Sequence, residues 1–224
     1  MKRFAALVSF LGLLVFLTGC HFNLGHTVAG SGVRKTETRN LPAFSEINAT
    51  GSFYIEASSQ KSASVQIEAD DNILPLVKTE VRDGVLYLKP EKGFNSKQGV
   101  VVRITLPDLT KIDSTGASTF RVENIQNDRL EIRTTGASNV VVSGKTSDVQ
   151  IKTTGAGEVD AHDLRATRAD VKSSGAAKVN VYASEQLDAN VSGAGHVEYS
   201  GNPKVVNKHT SGAATVSPRE ASGV

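Results

Sequence analysis

A short glycine-centred phrase returns throughout the second half of the chain. It reads STGAST (114–119), TTGASN (134–139), TTGAGE (153–158), SSGAAK (173–178), VSGAGH (191–196) and TSGAAT (210–215). The glycines are Gly116, Gly136, Gly155, Gly175, Gly193 and Gly212, spaced by 20, 19, 20, 18 and 19 residues. An α-solenoid repeat needs a longer unit rich in helix formers, and neither is present. Self-similarity at this period points to an all-β chain wound as a parallel β-solenoid, with coils of about 18–20 residues.

Apolar residues within each unit support that reading. Phe120/Val122, Val140/Val142, Val159/Ala161, Val179/Val181 and Val197/Tyr199 follow successive glycines at one fixed offset. Leu130/Ile132, Val149/Ile151, Ala169/Val171 and Leu187/Ala189 precede the next glycine at another. All alternate with polar residues, the period of a strand with one face inward. Each unit is therefore expected to hold two short strands joined by a compact turn at glycines such as Gly144 and Gly201.

In stacked coils, equivalent residues form columns about 4.8 Å apart. The glycines become structural corners, together with an alanine column (Ala117, Ala137, Ala156, Ala176, Ala194 and Ala213) in which only a methyl is expected to fit. Ser114, Thr134, Thr153, Ser173 and Thr210 form a hydroxyl ladder broken by Val191. Their recurrence marks a corner motif, not a nucleophile array. Outward positions place Glu131, Gln150 and Asp170 in one column beside Arg133, Lys152 and Lys172 in another. This paired strip is the candidate binding face, and its plain alternative is a solvated surface. In the last unit Lys208 takes an inward position and Pro203 and Pro218 interrupt strands, the marks of a C-terminal cap.

Ahead of the repeats lies an address. Lys2 and Arg3 precede an apolar run from Phe4 to Phe16, followed by Leu17-Thr18-Gly19-Cys20. The run is short for a bilayer span and has the layout of a secretory signal over residues 1–19. Its last four residues resemble a bacterial lipobox, which makes Cys20 the expected lipidation site and the membrane the first expected partner. The residue after it, His21 and not Asp, favours the outer membrane by resemblance to enterobacterial sorting rules. Gly-rich, polar residues 20–32 read as a flexible tether.

Cys20 is also the only cysteine, which rules out a disulfide framework or a thiol site in the folded part. Charge is balanced, with 25 basic against 23 acidic residues and two of the basic ones in the leader. That balance argues against a nucleic-acid partner.

Residues 33–113 alternate too, for example in Val65-Gln66-Ile67-Glu68 and Val85-Leu86-Tyr87-Leu88, and Asp83-Gly84 is a strong hairpin signal. With no linker before the repeats, they are expected to form irregular N-terminal layers of a single head domain, 33–217, followed by a tail at 218–224. Phe44-Ser45-Glu46-Ile47 leading to Gly51, VQIEADDNILPLVKTEVRDGVLYLK (65–89), VRITLPDLTKIDSTGAS (102–118) and the Gly-Ala units together resemble the "putative auto-transporter adhesin, head GIN domain" family of bacterial envelope proteins. The resemblance implies a right-handed β-helix-like fold and secretion or lipid anchoring. It implies no catalytic residues.

Chemistry-bearing clusters are sparse. Asp160-Ala161-His162-Asp163 is the densest, with Asp160 and His162 on one side and Val141 and Asn180 as neighbours. His21, His26, His162, His196 and His209 lack metal-ligand spacing, so neither metal nor cofactor is expected. Two functional classes follow: a non-catalytic envelope module binding a glycan, an envelope protein or its own kind, or a carbohydrate-active β-helix enzyme. A surface spacer is a third. The expected function is the binding or scaffolding module, without enzyme activity.

Overall fold

The computed structural model describes residues 27–219, and the signal and Cys20 lie outside the described residues. Its first strands are β1 (Val28–Ala29), β2 (Arg34–Arg39), β3 (Glu46–Gly51), β4 (Tyr54–Ser58), β5 (Ser64–Asp70), β6 (Val77–Arg82), β7 (Val85–Pro90), β8 (Phe94–Asn95), β9 (Val101–Thr105) and β10 (Lys111–Gly116). The repeats supply β11 (Thr119–Gly136), β12 (Asn139–Gly155), β13 (Glu158–Gly175), β14 (Lys178–Gly193), β15 (His196–Ser200), β16 (Val205–Gly212) and β17 (Thr215–Pro218). The only helical turn among the described residues is a 3-10 turn at Leu74–Leu76, opened by Pro75.

The repeats stack in parallel and in register, as a β-solenoid. Gly116 pairs with Gly136, Gly136 with Gly155, Gly155 with Gly175, Gly175 with Gly193, and Gly193 with Gly212. Inward residues then form apolar files. One runs Ile112, Ile132, Ile151, Val171, Ala189; another runs Phe120, Val140, Val159, Val179, Val197. All ten are at most 3% exposed, so a single core runs through the solenoid as far as Val197. β-branched side chains suit such files, since a stiff χ1 packs against its copy on the next rung.

Two strands per coil were expected, but pairing runs through the bend. β11, β12 and β13 each continue past it, with register shifts confined to a few residues such as Val122 to Ile125. Gly144 sits at such a bend with φ +132°, where a Cβ would lie 2.2 Å from the Ile125 carbonyl oxygen. Glycine lets the backbone turn without breaking the ladder.

The N-terminal region holds a first rung that the repeat count missed. β3 lies parallel to β10 with Gly51 beside Gly116, and β4 lies parallel to the start of β11. The corner column therefore begins at Gly51. After that rung the chain leaves the winding. β7 and β9 add parallel to β3 and β4, whereas β6 and β2 close the edges in antiparallel fashion on β7 and β5. Asp83 and Gly84 turn the β6–β7 hairpin with φ of 50° and 76°. Phe44, Ile73, Leu74 and Val77 are buried in this end.

The expected tether also needs correcting. Its last part is docked: β1 pairs in parallel with β8. Ser31 donates from its amide to Asn72 Oδ1 and from its hydroxyl to Asp71 Oδ1, at 2.9 and 2.6 Å. Composition alone could not show that these polar residues have partners forty positions away.

Candidate functional site: the stacked outer wall

Each corner is held by the backbone. The amide of Ala137 donates to the Gly116 carbonyl at 2.8 Å, and Ala156 to Gly136, Ala176 to Gly155, Ala194 to Gly175 and Ala213 to Gly193 at 2.8–2.9 Å. Gly155 has φ +125°, and a Cβ there would lie 2.2 Å from the Gly136 oxygen. Both the conformation and the space exclude a side chain.

The alanine column is different. Ala117, Ala137, Ala156, Ala176, Ala194 and Ala213 are all exposed, so their methyls point to solvent and packing sets no limit on their size. The confined column lies one residue later, at Ser118, Ser138, Gly157, Ala177 and Gly195, all buried. There a serine hydroxyl replaces a missing backbone contact. Ser118 Oγ accepts from the Phe53 amide at 3.1 Å, and Ser138 Oγ lies 2.8 Å from Ser114 Oγ. Ser114, Thr134, Thr153 and Ser173 face the core, and Thr153 donates to Ser173 at 2.8 Å. Thr153 and Ser173 thus satisfy each other, and Ser114 is satisfied by Ser138, as buried polar groups require. Thr210, in the last rung, is exposed.

On the outer face, Glu131, Gln150 and Asp170 are register partners, and so are Arg133, Lys152 and Lys172. Glu131 Oε1 accepts from Arg133 Nε at 2.7 Å and from Lys152 Nζ at 3.3 Å. Burial raises the Glu131 pKa, but those two cations outweigh it and hold the carboxyl below its ordinary value. Asp170 Oδ2 takes Gln150 Nε2 at 3.0 Å and Lys172 Nζ at 3.4 Å. Stacked like charges are thus offset by the neighbouring column, and the strip presents a self-neutralised surface. It extends to Lys111 and Glu46, which lie at the same offset before Gly116 and Gly51 and pair at 3.7 Å. That offset was available to find them.

A second row went unremarked. Thr50, Thr115, Thr135, Thr154, Ser174, Ser192 and Ser211 are successive register partners, all exposed but the half-buried Ser192. With the alanines beside them they form a smooth edge of hydroxyls and methyls. The signal was the hydroxyl residue directly before the glycine of every phrase.

Two polar clusters occupy the opposite wall. A groove of about 450 Å³ is lined by Glu56, Ser64, Gln66, Arg103, Arg121 and Glu123, among others. Arg103 bridges Glu56 at 3.1 Å and Glu68 at 2.8 Å, and its hydrogen bond holds the Glu68 carboxyl below its usual range. Further along, His162 lies between Asp160 (2.6 Å) and Asp163 (3.1 Å), with Val141 and Asn180 flanking Asp160 in register. Burial pushes the Asp160 pKa up, but hydrogen bonds from His162 bring it below the ordinary value. Among the described residues, no three His, Cys, Asp or Glu side chains converge as a metal site.

Comparisons with known proteins agree with this architecture. A crystal structure of a "putative adhesin" from Bacteroides fragilis superposes with a TM-score of 0.69 at 22% identity, over 86% of this chain and 100% of that one. A "putative lipid binding protein" from Parabacteroides distasonis gives 0.54 at 21% identity, over 87% and 100%. A "putative adhesin" from Parabacteroides merdae gives 0.56 at 17%, over 87% and 99%. At these identities the likeness shows the fold alone. No curated protein matches the chain. The family model described as "Putative auto-transporter adhesin, head GIN domain" matches residues 43–203, most of the chain and both halves of the solenoid, and the protein belongs to that family.

Proposed function

We propose that this protein is a lipid-anchored component of the cell envelope whose solenoid wall binds a surface partner, a glycan or an envelope protein, without catalysing a reaction. Family membership supports the coarser part, a non-catalytic binding role at the envelope or cell surface. The anchor would be an acylated Cys20, drawn from the lipobox-like Leu17-Thr18-Gly19-Cys20. Two or three acyl chains hold a protein stably where one does so only marginally.

The observation that carries the binding role is the continuity of the wall. The hydroxyl row recurs from Thr50 to Ser211 on one parallel ladder, with the charged strip beside it from Glu46 to Lys172. A repeating or extended partner meets the same chemistry about every 4.8 Å. Because the charged strip is already paired, recognition there rests on hydrogen bonding and shape more than on net charge.

The test is a glycan array and envelope pull-down with the acylated chain, against Thr135→Lys/Thr154→Lys/Ser174→Lys, which roughens the wall without touching the core. Binding that falls at least tenfold in the variant supports the proposal; equal binding overturns it. Cleavage of envelope polysaccharide, lost on Glu56→Gln, would establish the enzyme reading instead. Cys20→Ser is expected to leave the membrane fraction with an unchanged circular dichroism spectrum.

A further inference from the structure

We infer that the acylated protein stands with its N-terminal end on the bilayer, and that Lys92 and Lys97 contact anionic phospholipid headgroups there. This rests on the acyl-anchor reading above. The described chain begins at Thr27, seven residues after Cys20. Those steps reach about 25 Å fully extended and about 15 Å as a flexible coil.

What happens at Thr27 fixes which part of the head that short leash holds down. β1 is clamped to β8: the Val28 amide donates to the Gly93 carbonyl and the Gly30 amide to that of Asn95, both at 2.9 Å. Gly30 lies so close to the buried Asp70 that a Cβ would come within 1.8 Å of its carboxylate. The chain therefore leaves the head at a fixed point. That point belongs to the end where β6 and β2 close the two walls, since β8 directly follows β7 and Asp70 ends β5.

The loop at that point carries unbalanced positive charge. Lys92 and Lys97 are exposed and make no ion pair among the described residues, whereas the one acid between Lys89 and Gly99, Glu91, is taken by Lys78 at 3.1 Å. Lys92 adjoins Gly93, where a Cβ would lie 3.2 Å from the Thr27 side chain at the exit, and Lys97 lines the pocket around Ala29, Gly30 and Gly32 just past β1. Exposed lysines without an ion pair occur elsewhere too, at Lys61, Lys145 and Lys204, so it is the position beside the docked β1 segment that singles out Lys92 and Lys97. Free lysines beside a membrane tether suit a negative surface, where one basic residue strengthens contact about fivefold.

The experiment reconstitutes the acylated full chain in phosphatidylglycerol-containing vesicles, in phosphatidylcholine vesicles and in detergent micelles. Lysine acetylation by an amine-reactive ester is then read by mass spectrometry. Lys92 and Lys97 are expected to react about fivefold more slowly on the anionic vesicles than in micelles or on phosphatidylcholine, with Lys172 and Lys204 unchanged. Equal labelling of all four lysines in every condition overturns the inference while leaving the anchor intact. Protection of Lys172 in place of Lys97 overturns it too, because the solenoid would then lie on its side. A chain that fails to float with vesicles sinks the anchor reading and this inference with it.

Discussion

The two ends of this solenoid solve one problem in opposite ways. A parallel winding leaves an unpaired strand edge and an open cross-section at each end. At the N-terminal end, residues outside the repeat cover both: β6 and β2 pair in antiparallel fashion, and Phe44, Ile73 and Leu74 fill the section. The C-terminal end has no such elements among the described residues. β16 is exposed along nearly its whole length. Where earlier rungs have isoleucine, valine or alanine, Lys208 folds over Tyr199, with Nζ 5.0 Å from the ring centroid and 3.2 Å from the Val216 carbonyl. One end is closed by burial, and the other is guarded by a charge.

The largest expected effect tests the winding between the ends. Gly155→Val combines a disallowed φ with a collision against the Gly136 carbonyl. It is expected to cost about 3–5 kcal/mol, as strain and overpacking together. Ala156→Leu, one residue away but exposed, is expected to change stability by less than about 0.5 kcal/mol. Urea melts of the pair check both; similar losses would mean the alanine column is confined after all.

Ser138→Ala removes the partner of the buried Ser114 hydroxyl and is expected to cost about 1–3 kcal/mol in the same measurement. Lys208→Val should leave the melt almost unchanged but extend the apolar file to an open edge. The expected readout is concentration-dependent self-association by light scattering, absent from the parent chain. A monomeric variant would show that Lys208 is no guard.

Acid gives the smallest effect. The carboxyls of Glu131 and Asp160 are held below their ordinary values, so the stability they contribute is present above about pH 4 and lost as pH falls through the depressed folded values. Asp160→Asn should therefore lower stability at pH 7 and make its decline below pH 4 shallower. A parallel decline would remove Asp160 from the account.

Much of the architecture was legible because it is periodic. A parallel ladder in register copies each residue's environment to the next rung, so one correct assignment of Ile132 or Val140 carries the whole file. The charged strip followed from the same arithmetic. Legibility failed where the period did. Gly51 belongs to the corner column, but an excursion of some sixty residues separates it from Gly116. The alanine column was misjudged because a recurrent small residue looks the same whether space is scarce or the side chain simply faces water.

The amino-acid order by itself determined the period, the inward files and the glycine corners, because those follow from local spacing and from what a backbone can do without a Cβ. Only the tertiary structure decided how the ends close and which carboxylate meets which cation. It also decided that residues 28–31 dock on β8 and the Asp70–Asn72 turn. Those outcomes depend on contacts between residues far apart in the chain, where loop closure and packing geometry, not spacing, choose the partner.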